Sequence, residues 1–372
     1  MGLFLILACT PGETTLSVEG VERPDRTSPI HEDTGLDEQD DIDDDDDDDE
    51  DVPDDDPPDD DLPTGDLFED CFSEFMSADY PLPDYDQAGA TIAGHCLGTD
   101  HQDIPSDIER VVFIGDSVTL GSPPTPSEQW YRNVLAETLA DRYGLEKPEW
   151  LWQQADIISG KPYETFSGDF GVCAKWGGRT DDLMRDNDQV LDCLPESDRD
   201  LATLVVITSG GNDVFKAIQD EMEGGYSQSD YEAKYDEWVG LLEDAVTWIA
   251  NEEFPGGVYV IFANVYEYSD GTMDLGDCPG ADMVGFGDVD SAAIDELTRQ
   301  AMGDYLRLAV DTQTDMLFLR EAFCGHGYNA GDPSAPCYRG SSAQVWFDDT
   351  CIHPNGSGHA AIADMILSVL DE

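Results

Sequence analysis

Basic residues are what this chain has least of: 17 Lys and Arg stand against 84 Asp and Glu in 372 residues, a formal net charge of −67. Nucleic acid is thereby excluded as a partner, because binding it normally needs a basic footprint. No C-x-x-C pair occurs among the nine cysteines, which argues against a thiolate zinc site. Asp43 to Asp49 form an unbroken acidic run, yet no D-x-D-x-D-G loop follows, so the acid does not read as a calcium loop. The apolar stretch Gly2 to Ala8 is too short to span a bilayer. No segment repeats at a fixed period. Neither a metal nor a cofactor is expected.

The acid is unevenly distributed. Between Glu13 and Asp66 lie 26 acidic and two basic residues, with Pro53, Pro57 and Pro58 among the carboxylates. Such a segment has too little apolar surface to offset its ordering entropy, so 10–66 is read as a disordered, self-repelling linker. Positions 67–372 keep 58 acidic against 15 basic residues. A domain so negative repels polyanions, which points to neutral or zwitterionic small molecules as ligands.

At the N-terminus, Leu5-Ile6-Leu7-Ala8-Cys9 resembles the end of a bacterial lipoprotein signal, without the usual basic n-region. Residues 1–9 are read as that segment, with Cys9 carrying a lipid that anchors the chain to a membrane. Setting Cys9 aside leaves eight cysteines, an even number suited to disulfides in an oxidising compartment. Proximity suggests Cys71 with Cys96, Cys173 with Cys193 and Cys337 with Cys351, leaving Cys278 for Cys324. Residues 67–106, with Phe68, Phe72, Phe75, Tyr80 and Tyr85, read as a small disulfide-stapled cap on a main domain at 107–372. A monomer is expected.

From Asp107 onward, short apolar runs alternate with amphipathic stretches. Val111 to Ile114, Leu204 to Thr208, Val258 to Ala263 and Met316 to Leu319 read as strands buried on both faces, and Trp152 to Ile158 is a candidate fifth. Helices are predicted at Trp130 to Tyr143, Asp181 to Leu191, Ser229 to Asn251, Ser291 to Val310 and Ser357 to Leu370. Thr125-Pro126-Ser127-Glu128 supplies an N-cap, a first-turn proline and a reciprocal glutamate for the first. The alternation predicts a three-layer α/β/α sandwich around a mostly parallel five-stranded sheet, with ligands beyond the carboxyl ends of the strands.

Polar residues cluster at those ends. Gly115-Asp116-Ser117 follows the first strand, Ser209-Gly210-Gly211-Asn212-Asp213 follows another, Gly177-Gly178-Arg179-Thr180 precedes a helix, and Asp348-Asp349-Thr350-Cys351-Ile352-His353-Pro354-Asn355 opens the last one. Acyl transfer needs a nucleophile, a base, a group orienting the base and donors for an oxyanion, and all these types are present. His359 reads as structural, Asp213 as a helix cap and Arg179 as an ion-pair partner of Asp181 or Asp182.

The four blocks, in this order, resemble the SGNH hydrolases, the GDSL-type lipases and esterases. The likeness runs from Val111 to about Leu370 and implies their flavodoxin-like α/β/α fold. It also implies that Ser117 attacks an ester carbonyl and that His353 acts as base and then acid. The oxyanion would be held by the Ser117 and Gly178 amides and the Asn212 side chain. No G-x-S-x-G elbow occurs, which argues against the α/β-hydrolase version of this chemistry. One departure stands out: the family's orienting aspartate lies three residues before the histidine, where this chain has Thr350. Asp349 is the first candidate for that role, with Asp348 or a Ser-His pair alone as alternatives. The resulting expectation is an extracytoplasmic serine ester hydrolase acting on acyl esters or lipids. The alternatives are a catalytically dead surface-binding or adhesion lipoprotein, favoured if Thr350 sits at the carboxylate position, and a carbohydrate O-acetyl esterase.

Overall fold

In a computed structural model of the protein, the described residues are 102–222, 228–281 and 291–371. The expected signal segment, the acidic linker, nearly all of the cap, Cys9 and the Cys71–Cys96 pair lie outside them. The sheet begins with β1 (Arg110–Gly115), whose six residues are all buried. It continues with a short β4 (Phe166–Ser167), then β5 (Phe170–Ala174), β6 (Thr203–Thr208), β7 (Val258–Ala263) and β8 (Asp315–Leu317), while β2 (Ala155–Asp156) and β3 (Lys161–Pro162) form a separate two-stranded arm.

Spatial order in the main sheet is β4-β5-β1-β6-β7-β8. All neighbours pair in parallel except β4 with β5. The five parallel strands, numbered along the chain, are thus ordered 2-1-3-4-5, the flavodoxin-like arrangement whose switch point lies at the first strand. The expected parallel sheet is present with a sixth, antiparallel edge strand added. One expected strand is corrected: Trp152 to Ile158 stays out of the main sheet, and its place is taken by Phe170–Ala174. That segment is buried along its whole length, whereas Ile157 and Ile158 are exposed, which suits a sheet edge arm and not a central strand.

Alternation along β1 creates the two cores. Val112 and Ile114 face one side with Val205, Val260 and Phe262, packing against α6 (Gln228–Asn251) and α7 (Ser291–Thr312) through Trp238, Leu242, Ala245 and Tyr305. Val111 and Phe113 face the other, with Leu204, Ile261 and Phe170, against α2 (Tyr131–Tyr143) and α9 (Gly356–Val369) through Tyr131, Leu135, Ile362 and Ile366. A strand buried on both faces, with period-two alternation feeding two helical layers, is what makes three layers.

Two helix boundaries differ from expectation. A 3₁₀ turn at Ser127–Gln129 precedes α2, and Trp130 occupies the N-cap without a side-chain cap bond. Thr125 instead donates its hydroxyl to the Pro354 carbonyl, 3.2 Å away and across the molecule. The helix expected over Asp181 to Leu191 is two short pieces, α3 (Asp181–Met184) and α4 (Gln189–Cys193). They are separated at Asp188, whose φ of 50° breaks the helical path. Among the described residues, no helix is long and apolar enough to cross a membrane.

Cys173 pairs with Cys193 as expected. The other two pairings are corrected: Cys278 bonds Cys351 and Cys324 bonds Cys337. Chain separation could not decide between Cys324 and Cys351 as partners of Cys337. The fold decides it by laying the loop after β7 over the segment that carries His353. Closing the loop between Cys173 and Cys193, with its separation of 20 residues, is worth about 3 kcal/mol through the unfolded chain. Replacing both cysteines by Ala should lower the free energy of unfolding in a urea titration by about that amount. A change below about 0.5 kcal/mol would show that the bridge does not constrain the chain as supposed.

Candidate active site

The site forms where β1, β6 and the loop before α9 end on one rim of the sheet. β1 stops at Gly115, whose φ of 141° turns the chain sharply. A Cβ at Gly115 would lie 1.9 Å from the Thr208 carbonyl oxygen of the adjacent strand, so only glycine fits. Asp116 then caps α1 (Ser117–Leu120), its Oδ1 accepting from the Val118 amide at 2.9 Å. The Thr208 hydroxyl also donates to Asp116 Oδ1, at 3.2 Å. Burial pushes the Asp116 carboxyl up to about 6. Ser117 begins the helix with its side chain at the cleft, and its amide has no acceptor among the described residues.

His353 reaches this serine from 236 residues away: its Nε2 lies 3.0 Å from Ser117 Oγ. The loop carrying it is closed by the Asp348 amide donating to the His353 carbonyl at 2.9 Å and by a bridge between Phe347 and Pro354. Asn355 fixes the exit. Its side-chain oxygen accepts from the Ser357 and Gly358 amides as the N-cap of α9, and its amide donates to the Val345 and Phe347 carbonyls. From the β7 side, the Tyr266 hydroxyl donates to the Ile352 carbonyl at 2.5 Å. The Cys278–Cys351 bridge adds a covalent tether two residues before the ring.

Thr350 occupies the position facing the other ring nitrogen. Its Oγ1 is 3.0 Å from His353 Nδ1 and 2.5 Å from Asp348 Oδ1, which also accepts from the Thr350 amide at 2.8 Å. Asp349, by contrast, is exposed and is not brought to the ring. Asp348 is buried, with Oδ2 unpartnered, and burial pushes its carboxyl up to about 6. With no carboxylate against the imidazole, burial lowers the His353 pKa to about 4.

The remaining site residues meet on the opposite side. Asn212, in the first turn of α5 (Gly211–Met222), donates one amide hydrogen to the Gly178 carbonyl at 2.8 Å and lines the same cleft as Ser117 and His353. The Gly178 amide itself points to the Lys175 carbonyl at 3.1 Å, so in this conformation it is not free for an oxyanion. A Cβ on Gly178 would come within 3.2 Å of Asp116 Cα and 3.0 Å of the Gly115 carbonyl, which explains glycine here by close approach to the serine turn. Asp213 does not cap its own helix. Its carboxylate accepts from the Thr180 amide at 3.1 Å and hydroxyl at 3.0 Å, tying the Gly178 turn to α5, and burial pushes it up to about 7. Arg179 pairs with Asp181 at 2.5 Å as expected. His359 is buried, accepts from the Tyr131 amide at 3.3 Å and is held neutral by burial, with a pKa of about 3.

The cleft, about 60 Å³ in volume, is lined by Phe215, Val265, Tyr266, Tyr268 and Leu319 together with Ser117 and His353. A hydroxyl hydrogen-bonded to an imidazole beside a small apolar chamber can take an acyl group and hold it while the leaving group faces solvent. The residue absent from the sequence reading is Tyr266, which pins the histidine loop, and the role missed there is the polar contact of Thr350 with the ring. The spacing had already marked Thr350 as the anomaly.

Gly115→Ala should destabilise the protein by about 3 kcal/mol or more, since it adds strain at positive φ to a backbone clash beside the serine. Thermal melts would test this, and a variant as stable as the parent would mean the turn is not held as described.

A model of the GDSL-like lipase/acylhydrolase family matches residues 111–366. No curated protein matches. Among solved structures, the chain is similar to an extracellular lipase from Streptomyces rimosus, at 17% identity over 70% of this chain and 99% of that one, TM-score 0.41. It is similar to a phospholipase A1 from Streptomyces albidoflavus, at 18% identity over 71% and 98%, TM-score 0.40. It is also similar to an acetylxylan esterase from Geobacillus stearothermophilus, at 17% identity over 73% and 97%, TM-score 0.40. With the family model spanning most of the chain and all four blocks within it, this chain belongs to the GDSL-like lipase/acylhydrolase family and is a carboxylic ester hydrolase.

Proposed function

We propose that the protein hydrolyses short-chain acyl esters through Ser117 and His353, and that it works outside the cytoplasm, tethered by a lipid on Cys9. The observation that carries the catalytic reading is the 3.0 Å contact between Ser117 Oγ and His353 Nε2. His353 Nε2 takes the hydroxyl proton as Oγ bonds to the ester carbonyl carbon, leaving negative charge on the carbonyl oxygen. The free Ser117 amide and the second Asn212 amide hydrogen are the donors available to that oxygen, and the Gly178 amide joins them if its turn relaxes. The tetrahedral species then expels the alkoxide, which receives the proton from Nε2. Water repeats the sequence on the acyl-serine, regenerating the serine and releasing the acid.

Acyl length follows from volume. About 60 Å³ is less than half of the roughly 150 Å³ that holds a benzene in an apolar protein cavity, which favours acetyl over long acyl groups. The negative surface favours a neutral alcohol portion. The three disulfides support an oxidising compartment. A second reading, esters carried in or on an apolar surface, is favoured by Leu151, Ile157 and Ile158, which stand exposed around the β2–β3 arm. That arm joins the site through Trp176, whose amide donates to the Gly160 carbonyl at 2.8 Å and whose indole donates to the Gly121 carbonyl at 2.9 Å.

The dead-site alternative gains weight from Thr350 at the family's carboxylate position, but the Ser117–His353 contact is intact and the family is one of hydrolases. Nitrophenyl esters of increasing chain length decide among these. Acetate should be cleaved at least about tenfold faster in kcat/KM than octanoate, and Ser117→Ala should lower turnover by about 10³-fold or more. Preference for octanoate would favour the apolar-surface reading, and turnover that survives Ser117→Ala would sink the serine mechanism.

The pH dependence has a definite sign. The unfolded chain binds the His353 proton near its ordinary value of 6.5 and the folded one near 4, so this group's contribution to stability is complete above 6.5 and is lost as pH falls toward 4. The neutral ring is the base, so the limb that His353 sets in kcat/KM should lie near 4, with an earlier, partial decline near 6 where Asp348 takes up its proton. An acid limb at or above pH 7 would instead mean a carboxylate directly on the ring.

A further inference from the structure

We infer that Thr350 is a positioning residue, a hydroxyl bridge through which the buried carboxylate of Asp348 orients His353 in one tautomer. The inference rests on the serine-hydrolase reading of the site and adds what holds its base.

Hydrogen-bond inventory carries the argument. An ionised carboxylate only accepts, and a threonine hydroxyl has one hydrogen to give. Thr350 Oγ1 lies 2.5 Å from Asp348 Oδ1, so that hydrogen is committed to the carboxylate. Toward His353 Nδ1, at 3.0 Å, the same oxygen is then an acceptor, and Nδ1 must carry the ring proton. Nε2 is left bare and faces Ser117 Oγ at 3.0 Å, ready to accept. Four side chains in a row thus fix every proton without a carboxylate touching the imidazole.

The anchor is rigid. Asp348 Oδ1 also accepts from the Thr350 amide at 2.8 Å, while the Asp348 carbonyl accepts from the Cys351 amide at 2.9 Å and the Tyr328 hydroxyl at 3.1 Å. A buried carboxylate with one oxygen unpartnered is costly. Its retention makes sense if its charge serves the imidazolium that forms when His353 takes the serine proton. The residue two positions further from the base than the family's aspartate, reached through a hydroxyl, supplies what the aspartate would.

Thr350→Val keeps the shape and removes the bridge, whereas Thr350→Ser keeps it. Nitrophenyl acetate kinetics should show kcat reduced at least about tenfold in Thr350→Val with KM within about threefold, and Thr350→Ser within about threefold of the parent; loss of an orienting aspartate in a serine triad can cost about 10⁴-fold. Asp348→Asn should reduce kcat in the parent but by less than about twofold in the Thr350→Val background, because its influence passes through that hydroxyl. Equal cost in both backgrounds would overturn the bridge. The second readout needs no turnover: ¹⁵N NMR of histidine-labelled protein at pH 7, with the His353 signals assigned by difference from His353→Gln. The parent should show a protonated Nδ1 and a bare Nε2, and Thr350→Val a mixture of tautomers. A parent protonated at Nε2, or a Thr350→Val protein unchanged in spectrum and rate, overturns the inference. Absence of turnover in the parent would count against the hydrolase reading alone, since the spectrum still decides the bridge. If Thr350→Val does not fold, Thr350→Ala, which also removes the hydroxyl, takes its place in the cycle and in the spectrum.

Discussion

The contact between the Ser117 hydroxyl and the His353 imidazole, made across 236 residues of chain, is the constraint on which the rest of the structure depends. Neither residue has its chemistry alone: a serine hydroxyl is a weak nucleophile, and an imidazole has nothing to deprotonate until one is placed against it. Bringing them together requires that the first strand and the last helix of the domain end on the same rim. A flavodoxin-like sheet does this, since its first strand lies inside the sheet at the switch point, flanked by β5 and β6. The serine turn is therefore held on both sides, by Thr208 from β6 and by Lys175, whose amide donates to the Gly115 carbonyl at 3.1 Å.

The histidine side is held differently. Its loop belongs to no strand and is fixed by small contacts drawn from separate parts of the chain: Tyr266 after β7, Thr125 before α2, the Asn355 cap and the Cys278–Cys351 bridge. The hydrogen bonds are each modest in energy, but together with the disulfide they confine a ring whose nitrogen must stay within hydrogen-bond reach of Ser117. In this arrangement the serine face is rigid because of the sheet, and the base is rigid because of its tethers. A carboxylate held one hydroxyl away from the ring then sets the proton on the correct nitrogen without leaving charge against it.

Much of this was legible in the sequence because local chemistry and the global fold agree. Val111 to Ile114 read as a strand buried on both faces, and Gly115, Gly178 and Gly358 mark places where another stretch of backbone approaches too closely for a side chain. Trp152 to Ile158 misled because its apolar residues look like a strand, yet only Trp152 and Ala155 of the large or apolar ones turn inward, and Phe170–Ala174 is the true neighbour of β1. Two of the expected disulfide pairings, Cys337 with Cys351 and Cys278 with Cys324, misled because separation along the chain says little once a long loop folds back. Thr350 was visible as a departure, but the sequence offers aspartates at two neighbouring positions and no way to see which is buried. Only the turn of the loop separates Asp348, facing inward toward the Thr350 hydroxyl, from Asp349, facing solvent.

The most direct test of the central claim is covalent labelling with a fluorophosphonate, followed by mass spectrometry of the peptide bearing the adduct, in the parent and in His353→Ala. The account predicts a single adduct on Ser117 in the parent and labelling slowed by at least about 10²-fold when the imidazole is removed. An adduct on another residue, or labelling of Ser117 at an unchanged rate without His353, would contradict it.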